Sequence, residues 1–460
     1  MRASSRARVA VDGGPPRGTS PGEPGGIFRT RGHDRALAGI ARMIGGRVPH
    51  AILISGPGGI GKTTLALDLA AGLLCDAPDP ADRPCRACRA CRLVDRGRHP
   101  DLHRLAPSGP GDQIRIGRRD APEEGTVRRL ASDLVLLPVE GGARVAILER
   151  ADRLGDDAQT ALLKTLEEPP PGVTIVLCAD DEARLMPTVR SRSARIRLGP
   201  VATRDVETIL ADAGLADPPT AARLARIAGG RPGAARAMAR APSAIAARDE
   251  INRTLLDLLG ETPAPRLAAV RDLTKRATDL GRALDRAALD DSSTAADGPA
   301  PGARRGRGRA SPSVAPGPIA APPTPGSAEG PAPGGDEGDG DPEDEVAGAG
   351  RIAVPAAERR RASLLLVGLW RELARDLLVI VLGDERHVRD PGLLDDLRTV
   401  AIGFGPRPGD GSVHPHDPAA ADLGTFLARL DTAGELLEAN VRPEIVLDSL
   451  LLHWPRIARR

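Results

Sequence analysis

Apolar and polar positions in the first two hundred residues switch between two periods. The apolar run Ala51 to Ser55 predicts a strand buried on both faces, followed by a Gly-rich turn and a helix over Lys62 to Leu74. Val145 to Leu148 and Val173 to Cys178 have the same strand character, separated by a helical pattern over Asp156 to Leu166, and a further helix is expected over Ala36 to Ile44. Strands that are apolar throughout, alternating with helices, predict a parallel, doubly wound sheet covering residues 27–200.

The pattern then changes. Residues 201–248 read as short Ala- and Leu-rich helices broken by Gly229-Gly230 and Pro232, a small helical domain. Residues 249–460 form an all-helical domain, with helices expected over Ile251 to Leu289, Ala356 to Leu382, Leu423 to Leu437 and Pro443 to Leu452. Two stretches have no apolar period: residues 1–26, and an insertion over about 290–350 dominated by Pro, Gly, Ala and Ser. Neither can bury enough apolar surface to offset chain entropy, so both are expected to be disordered. The insertion carries a basic block, Arg304 to Arg309, and an acidic one, Asp336 to Glu345. A solvated linker accounts for them more simply than a partner-binding tail.

At 460 residues the chain is long enough for two or three domains. Tyrosine is absent and aromatic residues make up 1%, so Leu, Val, Ile and Ala must build the cores. With 64 basic and 62 acidic residues, no global field favours nucleic acid or a membrane surface. No apolar run is long enough to span a bilayer and no leader pattern is visible, so a cytoplasmic protein with no membrane partner is expected.

Gly56-Pro57-Gly58-Gly59-Ile60-Gly61-Lys62-Thr63 matches G-x-x-x-x-G-K-[ST] in full, between a strand and a helix as that motif requires. Gly56, Gly58, Gly59 and Gly61 let backbone N–H groups turn toward phosphate oxygens. Lys62 reaches the terminal phosphates, Thr63 offers a hydroxyl to magnesium, and Thr64 completes the expected contact set for ATP and Mg2+. Hydrolysis also needs an acidic metal holder and a group that orients water, normally at the end of a later strand. Here that strand ends Ile147-Leu148-Glu149-Arg150-Ala151-Asp152. It resembles the stretch that usually reads Asp-Glu-Ala-Asp in AAA+ ATPases, and that resemblance implies Glu149 in place of the metal-binding Asp and Arg150 in place of the water-activating Glu. A guanidinium cannot act as a base at neutral pH. A shifted register using Asp152 would bring its carboxylate about one helical turn too late.

Cys75, Cys85, Cys88 and Cys91 are spaced C-x9-C-x2-C-x2-C directly after the Lys62 helix. Four closely spaced thiols suit closed, tetrahedral, structural zinc. Free surface thiols are the alternative, and His99 and His103 rank below the cysteines as ligands. Arg86, Arg89, Arg92, Arg96 and Arg98 surround the cluster. They are read as solvating it rather than touching DNA, since no aromatic residues interleave them for base stacking.

Together these motifs resemble the bacterial DNA polymerase III clamp-loader family, AAA+ proteins whose gamma/tau and delta-prime subunits place a four-cysteine zinc module directly after the P-loop helix. His99-Pro100-Asp101, the run Ala161-Leu162-Leu163-Lys164-Thr165-Leu166-Glu167-Glu168-Pro169-Pro170, and Leu185 to Ser193 are similar to family signatures, the last with serine replacing the cysteine of Ser-Arg-Cys. Asn440 to Leu452 looks like a last collar helix. The resemblance implies an AAA+ domain with an inserted zinc module at about 75–91, a helical lid (201–248) and a helical collar (249–460). It makes Arg192 the counterpart of an arginine finger that enters a neighbouring subunit's ATP site. It also implies gamma/tau and delta subunits as partners in a hetero-pentamer, with the sliding clamp and primed DNA. Gly233, where gamma/tau carries a sensor arginine, and Ala179-Asp180, in place of a polar sensor after the last strand, join Arg150 in pointing to the delta-prime branch. Two other readings stand beside it: an active gamma/tau-like ATPase, and a zinc and nucleotide-binding regulator outside replication.

Overall fold

The computed structural model describes residues 26–108, 113–140, 142–296, 355–404 and 418–457. The expected N-terminal tail lies outside the described residues up to position 25, and so does the expected insertion from 297 onward.

Five strands, β1 (Ala51–Ser55), β2 (Leu102–Leu105), β3 (Arg144–Leu148), β4 (Val173–Ala179) and β5 (Ala194–Arg197), form one sheet in the order β2-β3-β4-β1-β5. Every pairing is parallel, with Leu53 opposite Leu177 and Ala146 opposite Ile175. The period of two along β1, β3 and β4 divides their side chains between two cores. Ile52, Ile54, Val145, Ile147, Val176 and Cys178 face α1 (Asp34–Ile44), α2 (Lys62–Leu73) and α3 (Arg89–Asp95). Leu53, Ala146, Leu148, Ile175 and Leu177 face α4 (Val127–Val135), α5 (Asp156–Glu167) and α6 (Pro187–Ser191). Complete burial of Leu53 makes Leu53→Ala worth about 2–5 kcal/mol. Helix starts are fixed locally: the Thr126 hydroxyl accepts from the Arg129 N–H at the start of α4, and Asp156 and Asp157 meet the positive end of α5.

Two helical cores follow. Val206, Leu210, Leu224 and Ile227 are buried among α7 (Thr203–Asp212), α8 (Pro218–Ala228) and α9 (Pro232–Arg240). The larger core is built by α10 (Pro242–Asp257), α11 (Pro263–Ala296), α12 (Ala356–Val381), α13 (Leu394–Ile402), α14 (Pro418–Glu438) and α15 (Pro443–His453). At its centre Trp370 lies 5.3 Å from Phe426 and 5.4 Å from Trp454, which is 4.6 Å from Phe426 (ring centroids). Such tilted and edge-on contacts suit the ring quadrupoles.

The single helix expected over Ile251 to Leu289 is two helices. A 3-10 turn at Leu258–Gly260 ends the first and Pro263 opens the second, because proline is tolerated at a first helical position but not inside. α10 also runs across residue 248, where a domain boundary was expected, and α11 continues to Ala296, beyond the expected start of the insertion.

Arg266 joins the ends of this core. It is buried, and its guanidinium donates to the carbonyls of Leu258 (2.8 Å), Leu259 (3.1 Å), Leu451 (3.2 Å), Pro455 (2.9 Å) and Trp454. Helices leave their last carbonyls without internal partners, and one cation satisfies two such ends here. A second charge group, centred on the buried Arg248 and Asp390, lies where the two helical cores meet. Arg223 of α8 holds Asp249 (2.7 Å) and Asp390 (3.0 Å), Arg248 holds Asp390 and Glu372 (3.3 Å), and Arg231 reaches Glu372 at 3.4 Å.

Candidate functional site

The glycine-rich loop leaves the C-terminal end of β1 with β4 and β5 on either side, the end of a parallel sheet at which ligands bind. Gly56, Gly59 and Gly61 have φ of 150°, 76° and 109°. A Cβ at Gly56 would stand 2.4 Å from the Leu198 carbonyl oxygen, so only glycine fits. The Gly233 N–H at the start of α9 donates to the Gly59 carbonyl at 2.8 Å, and His33 Nε2 lies 3.0 Å from the Ile60 carbonyl.

Lys62 is buried. Its Nζ donates to the carbonyls of Gly56 (2.7 Å) and Pro57 (2.8 Å) and pairs with Asp180 Oδ1 at 2.6 Å. Thr63 and Thr64 stand partly exposed in the first turn of α2. Beneath them, burial and the nearby Glu149 carboxylate push Cys178 up to about 12 against a hydrogen bond with Thr63, so this cysteine is a neutral thiol in the core.

Parallel pairing of β2 with β3 brings Arg104 beside the end of β3. Its Nε and Nη2 donate to Glu149 Oε1 at 2.9 and 2.6 Å. Arg150 has φ 55° and ψ 53°, an uncommon conformation for a non-glycine residue, and its Nε lies 3.7 Å from Asp180 Oδ2. Asp152 is buried and accepts from the Asp180 N–H at 2.8 Å. Its carboxylate therefore braces Asp180. Ala179 is the last residue of β4 and Asp180 follows it, and β5 comes later in the chain, so the pair does not stand after the last strand as the sequence suggests.

Sγ atoms of Cys75, Cys85, Cys88 and Cys91 all lie within 4.8 Å of one another, and those of Cys75 and Cys88 are 4.0 Å apart. Tetrahedral zinc with Zn–S bonds of about 2.3 Å needs sulfurs roughly 3.8 Å apart. Backbone N–H groups are aimed at the sulfurs: Cys85 to Cys75 (3.4 Å), Cys88 to Cys85 (3.4 Å) and Cys91 to Cys88 (3.3 Å). Burial would raise the Cys85 thiol, but the N–H groups of Ala87 and Cys88 lower it to about 7; burial raises Cys88 and Cys91. The donor set fits structural zinc.

His99 and His103 stay out of this cluster. The His99 ring is engaged by the Asp101 N–H (3.1 Å) and by Glu140 (3.4 Å). Asp101 in turn accepts from Val139 (2.7 Å), Glu140 (2.9 Å) and Arg144 (3.3 Å). Burial would raise its carboxyl, but these partners outweigh it and hold the group below the usual range. His-Pro-Asp is thus a brace beside β2 and β3.

Arg192 follows α6 at the surface, with Nη2 2.6 Å from Glu167 Oε1 and Nη1 3.1 Å from the Thr188 carbonyl. Glu167 belongs to the Leu166-Glu167-Glu168-Pro169-Pro170 run at the end of α5. Sequence reasoning missed Arg104, and also Asp180 as the partner of Lys62. Asp180 had been singled out only as a replaced sensor, and nothing local marks Arg104.

The strand order, the loop at the end of β1 and the cysteine cluster after α2 define an AAA+-like P-loop domain with a zinc-type module. The family model described as DNA polymerase III, delta subunit, matches residues 35–202. The chain is 38% identical over 152 residues to DNA polymerase III subunit delta' of Pseudomonas aeruginosa, covering 33% of this chain and 44% of that protein. It is 35% identical over 199 residues to subunit delta' of Escherichia coli K12, covering 43% and 57%. Against the gamma/tau subunit of Mycobacterium tuberculosis H37Rv it is 33% identical over 169 residues, covering 36% and 27%. The chain spans about half the length of the delta' relatives it matches. Through residues 35–202 it is similar to the delta' and gamma/tau subunits of DNA polymerase III.

Proposed function

We propose that the chain is a delta-prime-like subunit of a bacterial replicative clamp loader. In this reading it assembles with gamma/tau and delta subunits in a hetero-pentamer that loads the sliding clamp onto primed DNA. Residues 201–248 act as its lid and 249–460 as its collar. The observation that carries the proposal is that the groups hydrolysis needs are engaged or replaced. Glu149 is held by Arg104, and Arg150 stands where a base is required.

Lys62, Thr63, Thr64 and the loop N–H groups would hold ATP and Mg2+, and bound nucleotide would supply the phosphates these donors are shaped for. Turnover by this chain alone is then weak. Arg192 lies at the surface and outside the P-loop contacts, which suits donation across a subunit interface, where an arginine finger contributes about 10³ to 10⁵ in rate. The intact P-loop favours a second reading, an active gamma/tau-like ATPase.

Phosphate release separates the two. On the first reading the isolated chain and Lys62→Ala turn over equally and near zero, and Arg192→Ala abolishes turnover in the assembled loader while assembly persists. Robust turnover by the isolated chain that Lys62→Ala removes would establish the second reading. Unchanged turnover in the Arg192→Ala loader would refute the finger.

A further inference from the structure

Lys62 already has an anion from its own chain. Asp180 Oδ1 lies 2.6 Å from Nζ, and Arg150 Nε lies 3.7 Å from Oδ2 on the other side of the same carboxylate. The buried Asp152 fixes the Asp180 N–H at 2.8 Å, and a Cβ at Gly58 would stand 3.1 Å from Oδ2. Asp180 is therefore positioned through its backbone and both side-chain oxygens, against the loop itself. The metal-holding position is similarly engaged, because Glu149 is paired with Arg104.

A P-loop lysine serves the terminal phosphates of a triphosphate, where its positive charge matters most. Here a triphosphate must either displace Asp180 from Lys62 or bring its last phosphate beside that carboxylate, and like charges meeting in a partly buried site oppose binding strongly. Paired Glu149 gives magnesium less opportunity to screen the added charge. A diphosphate carries less charge and asks less of Lys62, while the loop N–H groups remain available to it. We infer that Asp180 selects for phosphate-chain length, so that this site takes a nucleoside diphosphate in preference to a triphosphate. The inference rests on the P-loop binding nucleotide, as proposed above.

The test is a competition titration on the full chain with a fluorescent ADP as probe, displaced by unlabelled ADP or by the β,γ-imido analogue of ATP in the presence of magnesium. Wild type is expected to bind ADP at least roughly tenfold tighter than the triphosphate analogue, the scale of a contact between like charges. Asp180→Asn should shrink that ratio, chiefly by tightening the triphosphate, with Asp180→Ser as a second variant and thermal melting as the check on folding. Equal affinities in wild type, or a ratio unmoved in a folded variant, would overturn the inference. If neither nucleotide binds wild type or variants, the P-loop reading itself fails and the inference falls with it, a result distinct from the other two.

Discussion

Arg86, lying between two cysteines of the sulfur cluster, forms an ion pair with Asp68, a fully buried residue of the helix that follows the phosphate-binding loop. The same guanidinium reaches Asp95 at 2.6 Å, and Asp68 also accepts from the N–H groups of Arg29 (3.0 Å) and Thr30 (2.8 Å). Removing one member of a buried pair leaves the other charge uncompensated. Arg86→Ala should cost about 3 kcal/mol in urea unfolding. Arg86→Lys should recover only part of this, since an ammonium cannot span two carboxylates as the guanidinium fork does.

Metal content tests the cysteine cluster. One zinc per chain is expected by elemental analysis, and Cys85→Ser should lower both zinc retention and melting temperature. Chelation of the wild type should lower its melting temperature toward that of the variant, because metal binding to a module of this kind is part of its folding free energy. Cys178→Ser should leave zinc content unchanged, since that thiol is buried in the core outside the cluster.

Arg266→Met removes the donor to five buried or partly buried carbonyls and should destabilise the chain by about 3–5 kcal/mol, read from chemical denaturation. The nucleotide affinity of the folded fraction should not move.

Acid should loosen the junction of the two helical cores. Burial would raise the Asp390 carboxyl, but Arg223 and Arg248 outweigh burial and hold it below its ordinary value of 3.8. A carboxyl depressed on folding contributes stability that is present above its unfolded value and lost as pH falls through its folded one. Stability should therefore be flat above about pH 5 and decline below it. Asp390→Asn should lower stability at neutral pH and flatten that acid limb, as measured by thermal melting across pH.

Sequence alone located the parts whose signal is local. β1 is found at its observed bounds because its residues are all buried, and the Gly56 to Thr63 loop because its motif is contiguous. β5 was invisible: Ala194-Arg195-Ile196-Arg197 is a short edge strand whose alternate side chains are exposed and charged. β2 has only four residues, two of them polar. The site divides the same way. The four cysteines are legible from spacing, whereas Asp180 reaches Lys62, and Arg104 reaches Glu149, only through pairing of distant strands.

Both tryptophans of the chain stand in the aromatic cluster of the larger helical core, and tyrosine is absent. Intrinsic fluorescence excited at long ultraviolet wavelengths therefore reports on that core alone, and the sheet domain with its phosphate-binding loop is optically dark. Any emission change on adding nucleotide would be a signal relayed between domains, so the chain carries its own probe of how far an event at Lys62 travels.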